Sequence, residues 1–182
     1  MDVKHYNIEG LMLLSPKVIG DSRGFFCERF RVDQFKEIGI HQNFIQDNYS
    51  RSDFGILRGL HYQWDQPQSK LVTCTRGTIL DVAVDIRRSS PTFGKHIIVE
   101  LSGDKPQWFW IPAGFAHGFL VLSKDGADLS YKVDAHWNSR GEGSIFWKDL
   151  ELAIPWPSMS PLLSEKDQKA PSFAEYKLQP KF

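Results

Sequence analysis

No apolar run in this chain approaches the roughly twenty residues that a membrane-spanning helix needs. Cysteine is scarce: Cys27 and Cys74 are the only 2 in 182 residues. They are too few and too far apart for a disulfide framework, so a reducing, cytoplasmic setting is expected. Each reads as a small buried apolar side chain. Charge of one sign is missing too. Lys and Arg number 22 against 22 Asp and Glu, so no global field invites nucleic acid or a membrane surface, and any anion site must be local. The opening residues show no basic-then-apolar leader. No repeat, low-complexity tract or linker divides the chain, and one domain over 1–182 is expected.

What the chain has is β structure. Aromatic residues make up 13% of it, and short apolar alternations recur between Gly, Pro and Asp turns. Met12 to Phe30 reads as extended chain broken by the polar turn Gly20–Gly24, with Phe26, Glu28 and Phe30 on one face. Val32, Phe35 and Ile38 predict a short helix over 31–38, stopped by Gly39. Phe44, Gln46 and Asn48 share a face of the next strand. The cleanest alternation sets Leu80, Val82, Val84 and Ile86 against Asp81, Ala83 and Asp85. Further strands are expected over 96–101, 108–111 and 119–122. Leu129, Tyr131 and Val133 form another inward face, with Trp137 on it if that strand continues. The expected fold is a mainly β jelly-roll barrel or sandwich with a C-terminal helical tail, which includes a short helix near Ser164–Asp167.

Ile56 to Gln63, running on to Lys70, sets Arg58, His61 and Lys70 among β-formers and one glycine. Two cations and an imidazole at this spacing can converge on an anionic ligand that also needs a proton moved. A strand edge with its basic residues in water is the competing reading. Arg58 and His61 differ by three positions, so a regular strand would point them to opposite faces. If both reach one ligand, the strand must break step, and Gly59 is the place for a bulge.

Pro112-x-Gly114-x-x-His117 resembles the second signature of the cupin barrels, whose histidine often binds metal. The first cupin signature has two histidines one residue apart. The matching place here reads His61-Tyr62-Gln63, which leaves too few imidazole and carboxylate ligands for a stable centre. No metal is expected, and His117 reads as a hydrogen-bonding residue.

Seven pieces in order, from Asp21-Ser22-Arg23-Gly24-Phe25-Phe26 through Gln46-Asp47-Asn48, Arg58-Gly59-Leu60-His61, Asp81 to Arg87, the Pro112–His117 turn, Tyr131-Lys132 and Leu163 to Asp167, resemble the dTDP-4-dehydrorhamnose 3,5-epimerases. The resemblance covers nearly the whole chain. It implies a metal-free cupin-type fold, no cofactor, and a dTDP-linked 4-keto-6-deoxy sugar as substrate, inverted at the two carbons flanking its ketone. Such chemistry requires a base, a partner for the enolate oxygen and an acid on the other ring face. By resemblance His61 is the base, and a free imidazole titrates at about 6.5, close to cellular pH. By the same resemblance Asp167 orients His61, whereas spacing alone favours reading Ser164 to Asp167 as a helix cap. Lys70 meets the enolate oxygen, against the reading of a solvated strand-end lysine. Tyr131 returns the proton, against the reading of a core tyrosine.

Binding roles follow the same resemblance. Arg23, Arg58 and Lys70 are cations for the diphosphate and its surroundings. Glu28, Gln46 and Asn48 read the thymine and adjacent groups, and His117 touches the sugar. Glu142 and Lys166 contribute to the substrate site. Phe26 and Trp137 flank the thymine, Trp137 standing where the family usually has tyrosine or another aromatic residue. The resemblance also implies a homodimer with an exchanged N-terminal strand, in which Arg23 and Glu28 serve the neighbouring subunit. The rival readings are a single-carbon epimerase or ketoisomerase on a related nucleotide sugar, and a non-catalytic sugar-binding cupin.

Overall fold

The structure, a computed structural model, describes residues 1–157 and 160–182. The chain opens with strands β1 (Asp2–His5), β2 (Met12–Ser15), β3 (Val18–Asp21) and β4 (Gly24–Cys27), followed by helix α1 (Val32–Glu37). Then come β5 (Gln46–Ser52), β6 (Leu57–Gln63), β7 (Lys70–Arg76), β8 (Thr78–Asp85) and β9 (His96–Ser102). After these follow β10 (Trp108–Ile111), β11 (Phe115–Val121), β12 (Ala127–Val133) and β13 (Glu142–Ser144). Two short helices, α2 (Glu165–Gln168) and α3 (Phe173–Leu178), form the C-terminal tail.

The strands build two facing antiparallel sheets. One has the order β1-β2-β10-β7-β12-β5, the other β13-β6-β11-β8-β9, and β3-β4 form a separate hairpin. This is the expected jelly-roll sandwich. Between the sheets lies a core that includes Val72, Cys74, Phe109, Phe119 and Leu129.

Both sheets are covered on their outer faces as well. On the six-stranded sheet, Met12, Leu14, Leu71, Trp108 and Trp110 pack against Phe35 of α1 and Ile40. On the five-stranded sheet, Val82, Val84 and Ile86 pack against Phe173 and Tyr176 of α3. That explains the strong apolar row of β8: it faces the helical tail, and the row with Asp81 and Ala83 faces the interior. A sheet covered twice leaves its inner face free to carry polar groups at one end of the sandwich.

Three local expectations are corrected. The strand holding Phe26 ends at Cys27, so Glu28 and Phe30 do not continue its face. Phe30 packs on Phe35 and Phe44 instead. For the same reason Phe44 lies before β5 rather than on a face shared with Gln46 and Asn48. And β12 stops at Val133, so Trp137 belongs to the following loop and not to the face of Tyr131.

Candidate active site

Gly59 decides what β6 shows to the interior. Between β11 and β6, His117 pairs with His61 while Phe119 pairs with Arg58. Two steps along β11 therefore match three along β6, which places one extra residue at Gly59–Leu60 and brings Arg58 and His61 onto the same face. The glycine is required twice over. Its φ is +126°, and a Cβ there would meet Gly118 Cα at 2.5 Å and the His117 carbonyl at 2.8 Å. The peptide bond to Leu60 is cis.

The bulge opens onto a cleft of about 390 Å³ between the two sheets. The five-stranded sheet supplies Arg58, His61, His117, Phe119 and Glu142 to its walls. From the six-stranded sheet come Gln46, Asn48, Ser50, Lys70 and Tyr131. Gln68 and Trp137 reach in from loops.

His61 Nε2 lies 2.6 Å from Asp167 Oδ1, and the carboxyl is buried at 2% exposure. Burial pushes the Asp167 pKa up, but hydrogen bonds from His61, Ser164 and the Gly59 backbone outweigh it and hold the group below the usual carboxylate range. An ionised Asp167 makes Nε2 the protonated nitrogen and leaves Nδ1 with the lone pair. The cap and the dyad are both real: Ser164 Oγ accepts from the Asp167 backbone N–H at 3.1 Å, so α2 is capped by the same turn that aims the carboxylate.

A second histidine is held in the same manner. Both oxygens of Asp81 approach His117 Nε2, at 2.9 and 3.0 Å, and Asp81 is fully buried. Sequence reasoning did not single out Asp81. The available signal was an acid within the most apolar alternation of the chain, where burial demands a partner.

Burial pushes the Lys70 ammonium down to about 8, with Asp81 and Glu142 pulling it up and Lys166 opposing them. Lys166 forms an ion pair with Glu142 at the cleft wall. Burial raises Tyr131 above the ordinary phenol range, partly offset by Arg58, so its hydroxyl keeps its proton at neutral pH. Arg58 Nε donates to Ser52 Oγ at 3.1 Å, and Gln46 Nε2 to Asn48 Oδ1 at 2.7 Å.

Arg23, Phe26 and Glu28 are not brought to this cleft. Arg23 pairs with Asp21 on the exposed hairpin, Phe26 is 67% exposed, and Glu28 pairs with Arg31. Among the described residues, no group of three or more His, Cys, Asp or Glu is placed to hold a metal, and no helix is long and apolar enough to cross a membrane. Gln63, where the cupin signature needs its second histidine, has its carboxamide engaged by loop backbone.

The arrangement offers an oriented base, a cation and an acid around one small cleft. Compared with known proteins, residues 5–175 match the family model described as dTDP-4-dehydrorhamnose 3,5-epimerase. The dTDP-4-dehydrorhamnose 3,5-epimerase of Pseudomonas aeruginosa is 50% identical over 170 residues, covering 92% of this chain and 93% of that protein. That of Shigella flexneri is 48% identical over 177 residues, covering 96% and 97%. In three dimensions the chain is similar to the crystal structure of a dTDP-6-deoxy-D-glucose-3,5-epimerase from Legionella pneumophila in complex with dTDP-4-keto-L-rhamnose. The TM-score is 0.93 and the identity 46%, over 100% of this chain and 98% of that one.

Proposed function

The chain belongs to the dTDP-4-dehydrorhamnose 3,5-epimerase family, and we propose that it inverts C3 and C5 of dTDP-4-dehydro-6-deoxy-D-glucose to give dTDP-4-dehydro-L-rhamnose. It is an isomerase. The observation that carries the reaction is one cleft with the His61–Asp167 pair on one wall, Tyr131 on the other and the Lys70 ammonium beside them.

The chemistry follows from those groups. His61 Nδ1 takes the proton from a carbon beside the ketone, and the C–H electron pair moves onto the ketone oxygen as an enolate. Asp167 stabilises the imidazolium that results. Lys70 faces the enolate oxygen, where a fixed cation in a partly dry site lowers the barrier most. Tyr131 then gives its phenolic proton to the carbon from the opposite ring face: the enolate electron pair forms the new C–H bond as the ketone re-forms, and Tyr131 is left as the phenolate. Proton transfer from imidazolium through solvent restores the tyrosine. Atoms and electrons balance without a redox step or cofactor.

Arg58 and Lys70 serve the diphosphate side of the substrate. His117, held by Asp81, meets the sugar; Gln46, Asn48 and Trp137 meet the base, and Glu142 with Lys166 shapes the wall between. Arg23, Phe26 and Glu28 serve the site of a second subunit. Exposure of Ile19, Phe25 and Phe26 at 59%, 60% and 67% on the hairpin supports a homodimer joined by N-terminal exchange. The unpaired Cys27 and Cys74 fit the reducing cytoplasm.

The test is incubation of the purified protein with dTDP-4-dehydro-6-deoxy-D-glucose and NMR assignment of the product. Ring couplings of the L-rhamno configuration are expected; a product inverted at one carbon only, or unchanged substrate, would overturn the assignment.

A further inference from the structure

Trp137 is 65% exposed and still lines the cleft. A loop side chain so exposed has little packing of its own: its indole N–H meets the Glu142 carboxylate at the cleft wall, and beyond that its aim depends on how the backbone beside it is anchored. The anchor is Gln63, the last residue of β6, at 6% exposure. Gln63 Nε2 donates to the His136 carbonyl at 3.0 Å and to the Gln66 carbonyl at 2.7 Å. Its Oε1 accepts from the Asn138 N–H at 2.9 Å. A single buried carboxamide thus brackets the peptide groups on both sides of Trp137. Farther out, Gln68 Nε2 donates to the Ala135 carbonyl at 2.7 Å, but that bond lies a residue beyond the bracket.

The chemistry of the site selects glutamine. One planar group must donate to two carbonyls and accept from an N–H, which a carboxamide does and an ionised carboxylate does not. Losing the donor or the acceptor end of this buried side chain leaves the backbone on that side of Trp137 without its fixed partner. Where the cupin signature has a second histidine, Gln63 holds loop backbone instead.

We infer that Gln63 is a positioning residue for nucleotide recognition, fixing the backbone on either side of Trp137 so that the indole is held against the aromatic base of the substrate. This rests on the proposed function, in which that base is thymine.

The experiment is a double-mutant cycle on the full chain with Gln63→Leu, Trp137→Ala and both together, measuring dTDP affinity by calorimetry and KM and kcat with the sugar nucleotide. Gln63→Leu is expected to weaken dTDP binding about tenfold, the order of one aromatic–base stack. KM should rise in step and kcat stay within about threefold. In the Trp137→Ala background the same change should add less than about twofold, because the residue through which it acts is gone. Additive losses, or a fall in kcat at unchanged KM, would overturn the inference. If Gln63→Leu does not fold, Gln63→Glu keeps the size and the acceptor but turns an oxygen towards two carbonyls. The same pattern is expected of it, and wild-type dTDP affinity in that variant would equally overturn the inference. Wild-type protein that binds no dTDP would refute the functional reading itself, a result separate from the cycle.

Discussion

His61 and Asp167 stand 106 residues apart in the chain and 2.6 Å apart in space. The strand-borne imidazole is aimed by a carboxylate from the first turn of a four-residue helix. That helix has little stability of its own, so the aim of the His61 imidazole depends on the tail docking against β6.

Separating the cap from the dyad tests this dependence. Asp167→Asn keeps the backbone N–H that Ser164 accepts but removes the charge that holds the imidazolium. Turnover should fall by about 10²–10⁴ while KM stays within a few-fold. Ser164→Ala, by contrast, should lower stability by about 1 kcal/mol and show mainly as a lower melting temperature. Wild-type turnover in Asp167→Asn would remove it from the dyad.

Lys70 gives the site a pH dependence with a definite sign. Its folded pKa of about 8 lies below the value of about 10.4 for a free lysine. Between those values the unfolded chain holds the extra proton, so this group makes folding more favourable as pH rises across that window. Activity should move the other way. As the ammonium is lost above about pH 8, kcat/KM should fall by about tenfold per pH unit. Lys70→Arg, which stays charged, should lack this limb; an unchanged alkaline limb in that variant would assign it to another group.

Tyr131 is expected to act after the proton has left. In Tyr131→Phe, hydrogen exchange at the carbons beside the ketone should persist while inversion drops by about 10²–10³. Exchange and product can be followed together by NMR. Product formation at the wild-type rate would take Tyr131 out of the acid role.

Gly59→Ala should destabilise the fold by roughly 2–4 kcal/mol, since it adds a side chain at positive φ and sets a Cβ against the backbone of β11. Thermal melting measures it, and a wild-type melting temperature would show that the two strands can part at no cost.

If Arg23 serves a neighbouring subunit, mixing inactive His61→Ala with weakened Arg23→Ala protein should recover activity. Each mixed dimer then contains one site with both wild-type residues. A mixture no more active than its parts would place Arg23 outside the site.

Much of this was legible in the residues. The β8 alternation, the turn ahead of His117 and the Ser164 cap follow from local rules, and the parity of Arg58 and His61 points to Gly59. Asp81 was only half legible: an acid in so apolar an alternation calls for a partner, but alternation does not say which face is interior when both are covered. Trp137 reaches the cleft through loop backbone held by Gln63, a contact between distant segments with no periodic signature. The hairpin bearing Arg23 and Phe26 lies away from the cleft of its own chain, and no local pattern says that it should.

If His61 is the base for both carbons, protons on either side of the ketone leave to one imidazole. Incubation with dTDP-4-dehydro-6-deoxy-D-glucose in heavy water, with deuterium located by NMR, tests it directly. The wild type should carry label at C3 and C5, and His61→Ala should carry label at neither. Label at a single carbon in the wild type, or label at both in His61→Ala, would remove His61 from the role of shared base.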